Sequence, residues 1–227
     1  MIRFNCLGVP VAIHWMFWIL AAFVSGAFHA MGRDAWALVV ARMGVVAVSI
    51  LVHEMGHALM QRKFGGRPAI MLHGFGGYST APGRFARNEN LKIIAMGPIA
   101  SVALALLGWI WWKSYHPDVD WSLLRGMLSP VFLARVAGFV IFVNVFWTLL
   151  NLLPILPLDG GRLLEHVMHG RNPVLRYQIA MVTAAVVAFV LLFAWGSLFG
   201  GFVFGFMAYE NFNRSRGRDV PGIFGRF

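Results

Sequence analysis

Residues 35–60 are apolar for most of their length, yet near their end they carry His53-Glu54-Met55-Gly56-His57. The run Val45-Val46-Ala47-Val48-Ser49-Ile50-Leu51-Val52 leads straight into them. A stretch this apolar can cross a bilayer, whose hydrocarbon core asks for about 20 residues of helix. Ionisable side chains inside such a stretch are costly to bury and mark functional positions. On a helix, positions i and i+4 lie one turn apart on the same face, so the imidazoles of His53 and His57 can converge on one ion. Glu54 sits beside them, placed to act as a base. A zinc site takes about four ligands and a catalytic one keeps a position for water, so the pair requires a third protein group.

The same constraint runs through the whole chain. Hydrophobic residues make up 59% and charged residues 12%, against roughly half and a quarter in soluble domains. A soluble fold of this composition could not cover its surface with polar groups, whereas a bilayer asks for apolar surface. The expected architecture is an all-α membrane protein, multi-pass in the cell membrane, forming one domain over 1–227. It has about six transmembrane helices and a small membrane-associated β segment. The apolar runs place the spans at about 14–30, 35–60, 91–112, 131–153, 179–195 and a glycine-broken 198–211. Trp15 and Trp18 suit an interfacial belt at the start of the first. The β segment, about 68–80, reads as a hairpin or a strand with a glycine bend, and a short strand is expected within 1–13. Residues 115–126, with Pro117, Asp118 and Asp120, read as a loop. The first span is expected to be retained rather than removed as a signal peptide, and no soluble domain is expected after Asn211.

The net charge of +10 does not point to nucleic acid, because no basic stripe alternates with aromatics. The basic residues fall between spans. With a cytoplasmic N-terminus, the inner segments hold Arg3, then Arg62, Lys63, Arg67, Arg84, Arg87 and Lys92, then Arg162, Arg171 and Arg176, then Arg214, Arg216, Arg218 and Arg226. Only Arg33, Arg42, Lys113, Arg125 and Arg135 remain outside. That asymmetry predicts both termini, and the His53–His57 end of its helix, on the cytoplasmic side. Arg42 and Arg135, near outward span ends, are expected to snorkel. Cys6 is the one cysteine, so no intrachain disulfide forms and the redox compartment is left open. Oligomeric state is not readable.

A third ligand is best sought in Asn151-Leu152-Leu153-Pro154-Ile155-Leu156-Pro157-Leu158-Asp159-Gly160-Gly161. Two prolines break the helix there and leave backbone carbonyls that lipid cannot satisfy. Broken backbone at membrane depth is tolerated where it lines a cavity or is buried in protein. Asp159, the acidic residue of this segment, is the candidate.

Taken together these residues resemble the site-2 proteases, a family of intramembrane zinc metalloproteases, in a short form without PDZ or CBS domains. The matching pieces are His53-Glu54-xx-His57, Asn151-xx-Pro154 through Leu158-Asp159-Gly160, and Gly97-Pro98-xx-Ser101. Phe75-Gly76-Gly77 and Pro10-Val11-Ala12-Ile13-His14-Trp15 match the family's β segment and its start. Ser101 departs from the Asn that many members carry; with Gly97 and Pro98 it is expected to serve close helix packing. The resemblance implies one Zn²⁺ per chain on His53, His57 and Asp159, with Glu54 moving the proton and Asn151 donating a hydrogen bond to substrate or oxyanion. It implies a substrate that is the transmembrane segment of another protein, met in the lipid bilayer. Such a helix must unwind before its peptide bonds can be reached. Ile70, Met71, Leu72, His73, Gly74, Phe75, Gly76 and Gly77 are expected to offer it an edge strand. For His73, a structural or substrate-contacting role is expected ahead of metal binding. A metal transporter built on the same three ligands would have no need of Glu54.

Overall fold

The computed structural model describes residues 1–114, 130–169 and 172–218. The loop expected over 115–126, with Asp118 and Asp120, and Arg125, Arg171 and Arg226 lie outside them. The described chain divides into two compact units, one of residues 1–85 and 95–148, the other of 86–94 and 149–227.

The first unit begins with a hairpin, β1 (Ile2–Cys6) and β2 (Val9–Ile13). Its two-residue turn has positive φ at both Leu7 (50°) and Gly8 (77°), the twist that a tight hairpin needs. Val9, Val11 and Ile13 alternate inward along β2, as a half-buried strand should. The chain then passes through a short helix α1 (Phe17–Val24), a 3₁₀ turn (Ala27–His29) and the long helix α2 (Arg33–Lys63). It returns as β3 (Ala69–His73), which pairs parallel to β2 with Val11 opposite Ile70 and Ile13 opposite Leu72. β4 (Gly76–Thr80) closes the sheet antiparallel to β3, giving the order β1-β2-β3-β4. Only the β4 part of the expected substrate strand is therefore at a sheet edge. Ile70, Met71 and Leu72 already pair with strands on both sides, so their backbone has no edge to offer.

Most of helix α3 (Arg87–Ser114), from residue 95 on, and of helix α4 (Pro130–Asn151), up to residue 148, belongs to this unit as well. α3 meets α2 at two glycines. A Cβ on Gly56 would overlap the Met96 carbonyl, and one on Gly97 would overlap the His57 ring. α4 is tied to α2 by Asn144 Nδ2, which donates to Ser49 Oγ at 2.9 Å.

The second unit holds helix α5 (Asp159–Val167), helix α6 (Pro173–Phe193) and helix α7 (Leu198–Ser215). Asn172 caps α6 by accepting from the backbone amides of Val174 and Leu175, with Pro173 at the first helical position where its missing N–H costs nothing. The glycines expected to break the last span do not break it. α7 runs continuously through Gly200, Gly201 and Gly205. A Cβ on Gly201 would come within 3.2 Å of Leu192 Cβ, so the missing side chain lets α6 and α7 approach.

Among the described residues four helices are long and apolar enough to cross a membrane: Ala35–Lys63, Arg87–Ser114, Val131–Asn151 and Pro173–Phe193. They correspond to four of the six expected spans. The first expected span differs most, since only Phe17–Val24 is α-helical within 14–30. Eight residues of helix rise about 12 Å, well short of the roughly 30 Å hydrocarbon core.

A candidate metal centre

His53, Glu54 and His57 all lie on α2, and all are buried. The side chains at four-residue intervals down this face, Ser49, His53, His57 and Gln61, are each buried. This polar seam follows from the helical period. Gln61, at its lower end, accepts from Ser79 Oγ of β4 at 2.8 Å, and Ser49 meets Asn144 at the other.

Between them the two imidazoles converge. Their Nε2 atoms are 3.2 Å apart, with the rings edge to face at 4.9 Å between centroids. Two nitrogens bound at about 2.05 Å to one tetrahedral zinc would lie about 3.3 Å apart. The spacing of this pair therefore fits a shared zinc ion without rearrangement.

The partner of the other His53 nitrogen fixes which atom faces the ion. His53 Nδ1 and Ser101 Oγ are 3.0 Å apart, and Ser101 is wholly buried. If His53 is to offer a lone pair at Nε2, its proton sits on Nδ1 and is donated to the Ser101 hydroxyl. Ser101 thus does more than allow close packing, the role its sequence context suggested. Gly97, one helical turn before it, does serve packing, and the surface it packs on is the histidine pair.

Glu54 is approached from the sheet. A Cβ on Gly77 of β4 would lie 2.6 Å from Glu54 Cγ and 3.0 Å from Ile50 Cγ2. The glycine lets the edge strand lie directly against the carboxylate-bearing turn of α2. His73 closes the neighbouring hairpin, where its Nδ1 accepts from the Phe75 amide at 3.2 Å. Burial, and then the charge of nearby His14, push its pKa down to about 4. Both effects favour the neutral imidazole.

In the second unit, Asn151 ends α4 half-buried and Asp159 opens α5 buried. The segment joining them is held by short backbone hydrogen bonds, Ile155 N to Leu153 O at 2.7 Å and Leu158 N to Ile155 O at 2.8 Å. Its Leu156–Pro157 peptide is cis. Gly160 and Gly161 start α5 against that segment, where a Cβ would overlap the carbonyls of Leu152 and Leu153 or those of Ile155. The prolines leave orphan carbonyls, and α7 supplies one donor for them. Asn211 Nδ2, fully buried, donates to Leu156 O at 2.9 Å. Nothing in the local pattern of the proline segment pointed to Asn211. The one signal was a cluster of polar residues, Glu210, Asn211 and Asn213, at the end of an apolar run. Asp159, the third candidate ligand, thus stands buried at the first position of α5 in this unit.

A His-Glu-x-x-His helix in an apolar, helix-rich scaffold with a small sheet defines the metallopeptidase class. Peptidase family M50 matches the chain over residues 121–194. Rip3 of Mycobacterium tuberculosis, assigned by name to the zinc metalloproteases, is 32% identical over 222 residues, covering 91% of this chain and 53% of that protein. A zinc metalloprotease of Methanocaldococcus jannaschii is 25% identical over 166 residues, 73% of this chain and 44% of that one. The chain thus spans about half the length of the curated relatives it matches. The solved structure of the site-2 protease from Methanocaldococcus jannaschii superposes with a TM-score of 0.62 at 24% identity, covering 98% of this chain and 99% of that one; this likeness is one of fold. Residues 121–194 thus match peptidase family M50, and the chain is similar in sequence to zinc metalloproteases.

Proposed function

We propose that the protein is an intramembrane zinc endopeptidase that cuts peptide bonds within or near transmembrane segments of other proteins. The observation that carries this is the pair of buried Nε2 atoms 3.2 Å apart beside a buried glutamate, in a homologue of zinc metalloproteases. His53, His57 and Asp159 are the zinc ligands in this reading. Zinc, when bound there, supplies Lewis acidity toward a water molecule and a peptide carbonyl. Ser101 holds His53 in the tautomer that leaves Nε2 free to bind. Glu54 takes the proton from the attacking water and returns it to the leaving amine. The Asn151 amide donates to the substrate carbonyl or the oxyanion that develops on it.

An unwound substrate segment would add to the edge of β4 at Gly76 and Gly77. Main-chain pairing there accepts any side chains, and Gly77 brings that edge against the turn that carries Glu54. The reading counts the segment 14–30 and α7 as further crossings, six in all, with both termini and the metal centre toward the cytoplasm. The placement of basic residues between spans supports that orientation.

The direct test is cleavage of single-span substrates by purified protein, wild type against Glu54→Gln. Loss of a positioned general base costs about 10²- to 10⁴-fold, so cleavage should fall by at least that much while zinc content is retained. Equal cleavage by the two proteins would remove Glu54 from the mechanism.

A further inference from the structure

The end of α2 and α4 away from the histidines carries a feature that peptide hydrolysis does not use. Arg42 of α2 and Arg135, Gly138, Phe139 and Phe142 of α4 line an open cavity of about 390 Å³. Both arginines lie within helices apolar enough to cross a membrane. The Asn144–Ser49 hydrogen bond ties the helices about two turns further along each, so the two guanidiniums sit at one level.

Arg42 Cζ lies 5.0 Å over the Phe139 ring, while its Nε is buried with no hydrogen-bond partner among the described residues. Among the described residues no carboxylate pairs with Arg42 or Arg135. A guanidinium at the edge of hydrocarbon is among the costliest groups to leave uncompensated, and its planar fork matches phosphate oxygens in pairs.

Beneath the arginines runs an aromatic ridge. Phe139 and Phe142 are 6.0 Å apart, and Phe142 stacks on Phe146 at 5.6 Å with planes 9° apart. Phe142 is 55% exposed. A Cβ on Gly138 would meet nothing within 4 Å, so a side chain at this lining position would extend into open space. A charged mouth continuous with an apolar wall suits a phosphate that carries an acyl chain, rather than a free ion.

We propose that this cavity binds the phosphate of an anionic membrane phospholipid, held by Arg42 and Arg135, with an acyl chain along Phe139, Phe142 and Phe146. The proposal is independent of the hydrolytic reading.

The test compares purified protein in nanodiscs of phosphatidylcholine alone or mixed with phosphatidylglycerol, with lipid retention read by native mass spectrometry and unfolding by heat. Wild type should retain phosphatidylglycerol and unfold at a higher temperature in its presence. The double variant Arg42→Gln, Arg135→Gln should lose that shift and retain about tenfold less of the lipid. Gly138→Leu keeps both charges, fills the cavity and favours helix. It should lose the retained lipid while unfolding in pure phosphatidylcholine as wild type does. Undiminished retention in both variants overturns the proposal. Inorganic phosphate protecting as well as phosphatidylglycerol would make this a free-anion site and also overturn it. If Asp118→Asn, Asp120→Asn destabilised the protein as much as the arginine changes do, the charges would belong to this chain's own acids instead.

Discussion

α2 and the segment from Leu152 to Asp159 bring candidate ligands to the same chemistry by opposite means. On α2, His53 and His57 are set by the helical repeat, and one unbroken element delivers both nitrogens to within 3.2 Å of each other. Asp159 follows a stretch that holds two prolines and is supported by short backbone bonds and an asparagine from α7. A helix fixes geometry through its period. An irregular segment must have each carbonyl satisfied by something further away. The two regions should therefore fail differently when disturbed.

The largest effect is expected where a neighbour intrudes on the helix-borne pair. Gly97→Ala places a methyl group where the His57 and His53 rings now lie, and imidazoles displaced by even 1 Å lose a shared ion. Zinc affinity, measured by chelator competition, should fall by about 100-fold while helix content by circular dichroism holds. Next comes Ser101→Ala, which removes the partner of His53 Nδ1. Loss of such an outer hydrogen bond typically costs about 10- to 100-fold in metal affinity. The lower end is expected here, since α2 still fixes the ring's place. Wild-type affinity in this variant would return Ser101 to a packing role.

The broken segment should answer through stability instead. Asn211→Leu leaves the Leu156 carbonyl buried without its donor, a loss of about 1–3 kcal/mol. Thermal unfolding should report this, with zinc weakened less than by Gly97→Ala. A larger effect on zinc than on unfolding would mean that Asn211 positions a ligand more than it supports the fold.

The smallest effect concerns His73. Its folded pKa, about 4, lies below the unfolded value of 6.5, so the unfolded chain binds more protons between those values. Its contribution is present in full above about pH 6.5 and is lost as pH falls toward about 4. His73→Asn should flatten that part of the stability-against-pH curve, leaving stability at pH 8 less changed. An unchanged acid limb would show that other groups set it.

Much of this was legible in the residues themselves. His53, Glu54 and His57 announced themselves by spacing inside an apolar run, and the hairpin of β3 and β4 by its glycines. Arg42 and Arg135 were legible as charges near span ends, but not as two faces of one cavity. The end of α1 had a local signal that the span reading passed over, since Ser25-Gly26 interrupt the apolar run just after Val24 and Gly26 has φ 79°. The glycines of α7 suggested a break. Gly200 and Gly201 instead let α7 lie close to Leu191 and Leu192 of α6.

The sequence by itself determined the membrane-type composition, the helical period that pairs His53 with His57, and the prolines that end α4. Those are local properties of a chain, fixed by side-chain chemistry and a spacing of a few residues. Tertiary structure alone decided that β3 runs parallel to β2, that Gly77 lies on Glu54, that Ser101 holds His53, and that Asn211 reaches the Leu156 carbonyl. Each of these joins residues far apart along the chain. They are fixed by which surfaces pack and which buried polar groups find partners, and no local pattern encodes them.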